Sequence, residues 1–103
     1  MKYKYGVLPD EQFEAYKKRI HSLVHWLLIY AEEENPILDG YFDKVQYKLN
    51  GLNELLNYPT QMIEIMNLIE SARIEYKKEN HNYKVYRKII LDAHELIDDI
   101  VEV

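Results

Sequence analysis

The stretch that decides the fold is residues 20–31, which read IHSLVHWLLIYA. Apolar residues recur in it at alternating steps of four and three: Ile20, Val24, Leu27 and Ala31. This is the spacing that places side chains on one face of an α-helix. A helix with one apolar face must bury that face against other elements, so the stretch also predicts neighbours.

Three later stretches repeat the spacing and supply those neighbours. Their apolar positions are Phe42, Val45, Leu49, Leu52 and Leu56; Met62, Ile65, Ile69, Ala72 and Tyr76; and Tyr86, Ile90, Ala93, Ile97 and Ile100. Four apolar helical faces need one another to leave water. The sequence therefore predicts an all-α fold.

Short breaks separate the predicted helices. Asn35-Pro36 ends the first helix, because the residue before a proline avoids the helical region. Tyr58-Pro59-Thr60 and residues 79–82 predict the other two turns, with either Asn80 or Asn82 as the cap of the last helix. The predicted elements are a lead-in of residues 1–8 and helices over about residues 9–34, 37–57, 60–78 and 82–102. Because all three connections are short, the chain should form one antiparallel up-down-up-down four-helix bundle.

Composition narrows the function classes. The chain has 103 residues, of which 48% are apolar and 30% charged, the balance of a single globular domain. It lacks cysteine, which excludes disulfides and thiolate metal sites, and its net charge of −5 argues against nucleic acid as a partner. Plentiful tyrosine, isoleucine, lysine and asparagine, whose codons are AT-rich, favour a low-GC bacterium or its mobile elements as the source.

The hydropathy of the sequence favours a cytoplasmic location for the protein. No apolar run approaches the roughly 20 residues that a membrane-spanning helix needs. Residues 1–6, MKYKYG, have no long apolar stretch of the kind that an export signal carries. We therefore expect a cytoplasmic protein without a membrane span.

A second apolar line on helix 1 predicts an interface. With Ile20 taken as the core direction, Ile29 points about 180° away and Trp26 about 120° away. Ser22, one turn before Trp26, belongs to the same predicted surface. Outward tryptophan and isoleucine are typical of contact surfaces, so we expect a protein partner or a homodimer there. The alternative is that the lead-in folds back over this line with Tyr3, Tyr5, Val7 and Leu8.

His21 and His25 are four residues apart, so both project from one side of helix 1. That spacing is known among metal ligands, but zinc requires three or four ligands. Di-iron bundles place a glutamate three residues before each ligating histidine, and no histidine of this chain has one. The sequence predicts no metal or other cofactor, and it keeps a site at His21 and His25 as the weaker alternative.

Arg87 and His94 are seven residues apart on the last predicted helix. The pattern resembles the Arg-x6-His motif of the HEPN nucleases, small helical domains that cleave RNA as dimers. The resemblance implies that Arg87 binds the scissile phosphate and that His94 is the general acid or base. Lys88 follows the arginine, where the family more often has asparagine, aspartate or histidine.

The remaining sequence favours a protein that is not an enzyme. With only three glycines it contains no phosphate-binding loop, and neither of its serines has the context of a nucleophile elbow. In size and predicted architecture the chain is similar to the bacteriocin immunity proteins of Gram-positive bacteria. We therefore expect an immunity, inhibitor or accessory protein that acts by macromolecular binding, with the HEPN-like ribonuclease, or an inactive relative of it, as the alternative.

Overall fold

Four α-helices make up most of the chain in a computed structural model, which describes residues 2–3, 6–7, 9–55 and 60–100. The helices are α1 Asp10–Glu32, α2 Leu38–Leu55, α3 Thr60–Lys77 and α4 Tyr83–Asp98. In the lead-in, strand β1 (Lys2–Tyr3) pairs antiparallel with strand β2 (Gly6–Val7). Beyond this short pairing every regular element of the described residues is helical, which confirms the all-α class.

The predicted apolar faces form the core. Leu56 lies outside the described residues; every other predicted core position is buried except Tyr76, which is half-buried. Phe13, Leu23 and Leu38 add to the core from beside these faces. Asn53 is also buried, with only 3% of its surface exposed. The three-and-four spacing thus identified the buried side of each helix, although it did not find every buried residue.

Each helix packs on two neighbours: α1 on α2 and α4, and α3 on α2 and α4. Between α1 and α4, hydrogen bonds join Glu32 to Tyr83 and Leu27 to Tyr86, and His21 contacts Asp98. Between α2 and α3, hydrogen bonds and ion pairs join Asp39 to Lys77, Asp43 to Arg73, and Gln46 to Met66. In both pairs of helices, the residue number rises along one helix as it falls along the other.

A charged cluster joins α2 to α3 at the surface. Arg73 donates to the Asp43 carboxylate at 2.6 Å and to that of Asp39 at 3.3 Å, and Lys77 lies 3.1 Å from Asp39. The guanidinium of Arg73 also lies over the Phe42 ring, 5.7 Å from its centre. Hydrogen bonds from Lys77 and Arg73 lower the pKa of Asp39, and the hydrogen bond from Arg73 lowers the pKa of Asp43. Because both carboxylates are exposed, water screens these ion pairs, and each contributes little to stability.

The caps determine where α4 begins and ends. The Asn82 side chain accepts from the backbone N–H of Lys84 at 2.9 Å and of Val85 at 3.4 Å, so Asn82 is the N-cap. The helix ends at Asp98 and not near residue 102 as predicted. Asp98 and Asp99 carry the wrong charge for the negative end of a helix, and the last turn contains no basic residue. The predicted end of α2, near residue 57, lies outside the described residues.

The end of α1 is closed by a left-handed residue. Glu34 has φ 52°. Its N–H bonds to the Ala31 carbonyl at 3.2 Å, and the Asn35 N–H bonds to the Tyr30 carbonyl at 2.9 Å. These two bonds form a Schellman motif, which usually has glycine at the left-handed position because glycine has no Cβ to clash.

Glycine at position 34 should therefore stabilise the protein. We expect Glu34→Gly to raise the free energy of unfolding by roughly 0.5 to 1 kcal/mol, measured by urea denaturation. Glu33→Gly is the matched control: Glu33 is right-handed, at φ −81°, so glycine there should destabilise. Glu34→Gln separates the effect of the lost charge. Equal destabilisation by both glycine variants would contradict a left-handed Glu34.

Candidate functional site

A groove between α1 and α4 brings together most of the residues that the sequence singled out. Its volume is about 380 Å³, and it is lined by His21, Ser22, His25, Trp26, Ile29 and His94. The predicted interface, the alternative metal pair and one residue of the alternative nuclease motif therefore share one surface. We call it the α1–α4 groove.

Trp26 is the most prominent apolar side chain of the α1–α4 groove. It is 44% exposed, and its ring stacks on that of Tyr30 with centres 5.3 Å apart. Tyr30 in turn meets Tyr41 edge-on at 5.1 Å, and the Tyr41 hydroxyl donates to the Leu23 carbonyl at 3.2 Å. Burial raises the pKa of Tyr41 and keeps its phenol protonated. The tryptophan is thus held against the bundle by a row of rings while its outer side meets solvent.

The other two predicted interface residues, Ser22 and Ile29, differ in exposure. Ser22 is exposed, whereas Ile29 is half-buried. The angle of about 180° from Ile20 predicts Ile29 on the outermost side of α1, but the side chain is partly covered where it lines the groove. The alternative of cover by the lead-in depends on side chains outside the described residues.

His94 joins this surface from α4. Its ring centre lies 5.3 Å from that of His21 and 6.0 Å from that of His25. Burial lowers the pKa of His94, as does the proximity of His21 and His25, while Asp98 acts in the opposite direction. The buried Nε2 of His94 has no hydrogen-bond partner within the described parts of the chain. His94 is therefore neutral at pH 7 and sits against two further imidazoles.

The histidine cluster has little capacity for metal. The Nε2 atom of His21 lies 3.1 Å from an Asp98 carboxylate oxygen and is engaged there. Across residues 9–55 and 60–100, no group of three or more histidine, aspartate or glutamate side chains is placed to hold a metal ion. Within the described part of the chain, His21 and His25 have no third ligand of the kind that a zinc site requires.

The two residues of the alternative nuclease motif differ in their exposure on α4. Arg87 is exposed on α4, and His94 is half-buried against the rings of α1. A general acid or base must reach the proton that it transfers, and the Nε2 of His94 is closed to solvent. The nuclease role of Arg87 and His94 stays an alternative prediction.

A second cavity was not anticipated from the sequence. It has a volume of about 370 Å³ where the end of α1 meets the turn between α3 and α4, and it is lined by Ala31, Glu32, Glu34, Tyr76, His81 and Tyr83. We call it the turn pocket. The sequence offers one signal, a run of three glutamates at 32–34, but the apolar spacing places Tyr76 in the core and gives Tyr83 no role.

Comparison with family models, with curated proteins and with solved structures gave no match for this chain. The described helices include none that is both long enough and apolar enough to cross a membrane.

Proposed function

We propose that this chain is a binding protein, not an enzyme, and that it contacts another protein chain through the α1–α4 groove. The observation that carries the proposal is Trp26, which is 44% exposed in a groove whose other lining residues are Ile29, Ser22 and three histidines. Tryptophan is the residue type most enriched among the side chains that dominate binding energy at protein interfaces. The net charge of −5 favours a protein over a nucleic acid as the partner.

We also infer that the helices form an antiparallel up-down-up-down bundle. Opposed residue numbering in the contacts of α1 with α4 and of α2 with α3 supports this topology, as do the short connections. A bundle of this size presents α1 and α4 as one continuous face. Such a face suits an immunity, inhibitor or accessory protein of a low-GC Gram-positive bacterium or its mobile elements.

The partner we propose to test first is a second copy of the chain. A two-fold symmetric interface uses the same patch on both copies, so the patch must complement itself. Here a partly exposed ring, Trp26, and the groove that it lines lie on one face. Across a two-fold axis, each Trp26 would enter the groove of the other copy.

Replacing Trp26 should abolish self-association. We expect Trp26→Glu to weaken dimerisation at least 10-fold in sedimentation velocity, because it places a charge where an apolar ring would be buried. Circular dichroism should show unchanged helix content, since the ring is not part of the core. The matched control is Ile74→Glu on α3, which alters an isoleucine that is 58% exposed. A monomer at all concentrations, or equal weakening by both variants, would refute self-association through Trp26.

A further inference from the structure

The turn pocket concentrates negative charge at one end of the bundle. Glu32 and Glu34 lie at the C-terminal end of α1, where the unpaired carbonyls of the helix already give a negative potential. The last turn of α1 contains no basic residue to offset them. Three nearby lysines are paired elsewhere: Lys77 with Asp39, Lys78 with Glu75 and Lys88 with Asp92. Lys84 and Arg87, in the first part of α4, are exposed, and the charge of Arg87 acts to lower the pKa of Tyr83. Among the described residues no ion pair reaches Glu32 or Glu34.

Aromatic rings form the other walls of the turn pocket. The Tyr76 and His81 rings are 4.8 Å apart at an interplanar angle of 32°, and Tyr83 stacks on the buried Tyr86 at 6.2 Å. The Tyr83 hydroxyl donates to Glu32 at 2.8 Å, which fixes that carboxylate against a ring. Burial, with the neighbouring carboxylate, raises the pKa of Tyr83 to about 12, so the phenol remains a donor at neutral pH.

Carboxylates combined with ring faces are the groups that recognise organic cations. A guanidinium group stacks on aromatic rings and donates two parallel hydrogen bonds to a carboxylate in one plane. A divalent metal ion would instead need three or more ligands, a group that the described residues do not provide. The volume of about 370 Å³ lies in the range of small-ligand sites.

We propose that the turn pocket binds a guanidinium group, the side chain of an arginine. Glu32 and Glu34 supply the charge complement, and Tyr76, His81 and Tyr83 supply the faces on which the planar cation stacks. The site is separate from the α1–α4 groove and does not depend on self-association. The same chemistry would admit the arginine of a polypeptide or a small free guanidinium compound.

Binding can be tested on the full chain by NMR titration at low ionic strength. The probes are ethylguanidinium, the capped tripeptide Gly-Arg-Gly and the same tripeptide with glutamine in place of arginine. We expect saturable shifts of the Ala31, Tyr76 and Tyr83 amides with the two cations, and none with the glutamine peptide. If the arginine peptide binds more tightly than ethylguanidinium, the site is one for the arginine of a polypeptide. If the two bind equally, the site is one for free guanidinium compounds.

Variants distinguish specific binding in the turn pocket from nonspecific attraction of a cation to an acidic protein. Glu32→Gln with Glu34→Gln should weaken binding at least 10-fold, whereas Glu64→Gln with Glu70→Gln, on the exposed face of α3, should leave it within about twofold. His81→Ala alters only an exposed side chain, so the fold should survive, and loss of its ring should weaken binding about threefold. Equal effects of the two glutamine pairs, or an absence of saturation, would overturn the proposal.

Discussion

Truncation of Tyr86 to alanine should lower the free energy of unfolding by roughly 3 to 5 kcal/mol. Tyr86 is completely buried, and its ring contacts those of Phe42 at 6.4 Å and Tyr76 at 5.5 Å. Its hydroxyl donates to the Leu27 carbonyl at 2.7 Å, which ties α4 to α1 at the centre of the bundle. Alanine would remove both the ring and this bond and leave a cavity that the neighbouring helices cannot fill.

Tyr86→Phe separates the two contributions. Phenylalanine retains the ring and loses only the hydrogen bond, so we expect a loss of about 1 kcal/mol. Urea denaturation followed by circular dichroism measures both variants on the same scale. If alanine and phenylalanine at this position were equally stable, Tyr86 could not be part of the core.

Stability should fall as the pH is lowered below about 6.5, because folding keeps His94 neutral. Burial and the neighbouring His21 and His25 lower the pKa of His94 in the folded state, although Asp98 opposes them. At pH values between the folded and the unfolded pKa of His94, this histidine is protonated in the unfolded chain and neutral in the folded one, so acid favours unfolding. The contribution of His94 is complete above the unfolded pKa and is lost as the pH falls toward the folded one. One proton contributes a slope of at most about 1.4 kcal/mol per pH unit.

A neutral residue of similar shape should remove that dependence. We expect His94→Gln to flatten the acid side of the stability curve between about pH 7 and pH 5 in urea denaturation. His81→Gln is the matched control, because His81 is exposed at the turn and its replacement should leave the slope in place. If the two variants showed the same slope, His94 would not be the group that senses the acid.

The apolar spacing was sufficient for the class of the fold and for the buried faces, because the helical period follows directly from residue order. The helix ends were less predictable. Asn80 and Asn82 are equivalent as caps in the sequence, and the choice depends on which side chain reaches the first backbone N–H groups. The end of α4 at Asp98 is likewise not marked by the apolar period, which continues to Ile100.

The sequence did not predict which residues come together in the two cavities. Trp26 could be placed outside from its angle on a single helix, and its 44% exposure agrees with that placement. His94 enters the α1–α4 groove only through the rotation of α4 against α1, which no local pattern encodes. The turn pocket likewise joins Glu32 to Tyr76 and Tyr83, residues more than 40 positions along the chain, and their proximity depends on the register of three helices.

Trp26 is the chain's only tryptophan, and ten tyrosines account for most of the other aromatic residues. Excitation at the red edge of the absorption spectrum therefore selects one ring, which lines the same groove as His25 and His94. Its fluorescence emission reports the polarity and the protonation of that surface without any attached dye. The protein thus carries its own optical probe, at the position where a partner chain would first change the surroundings of the ring.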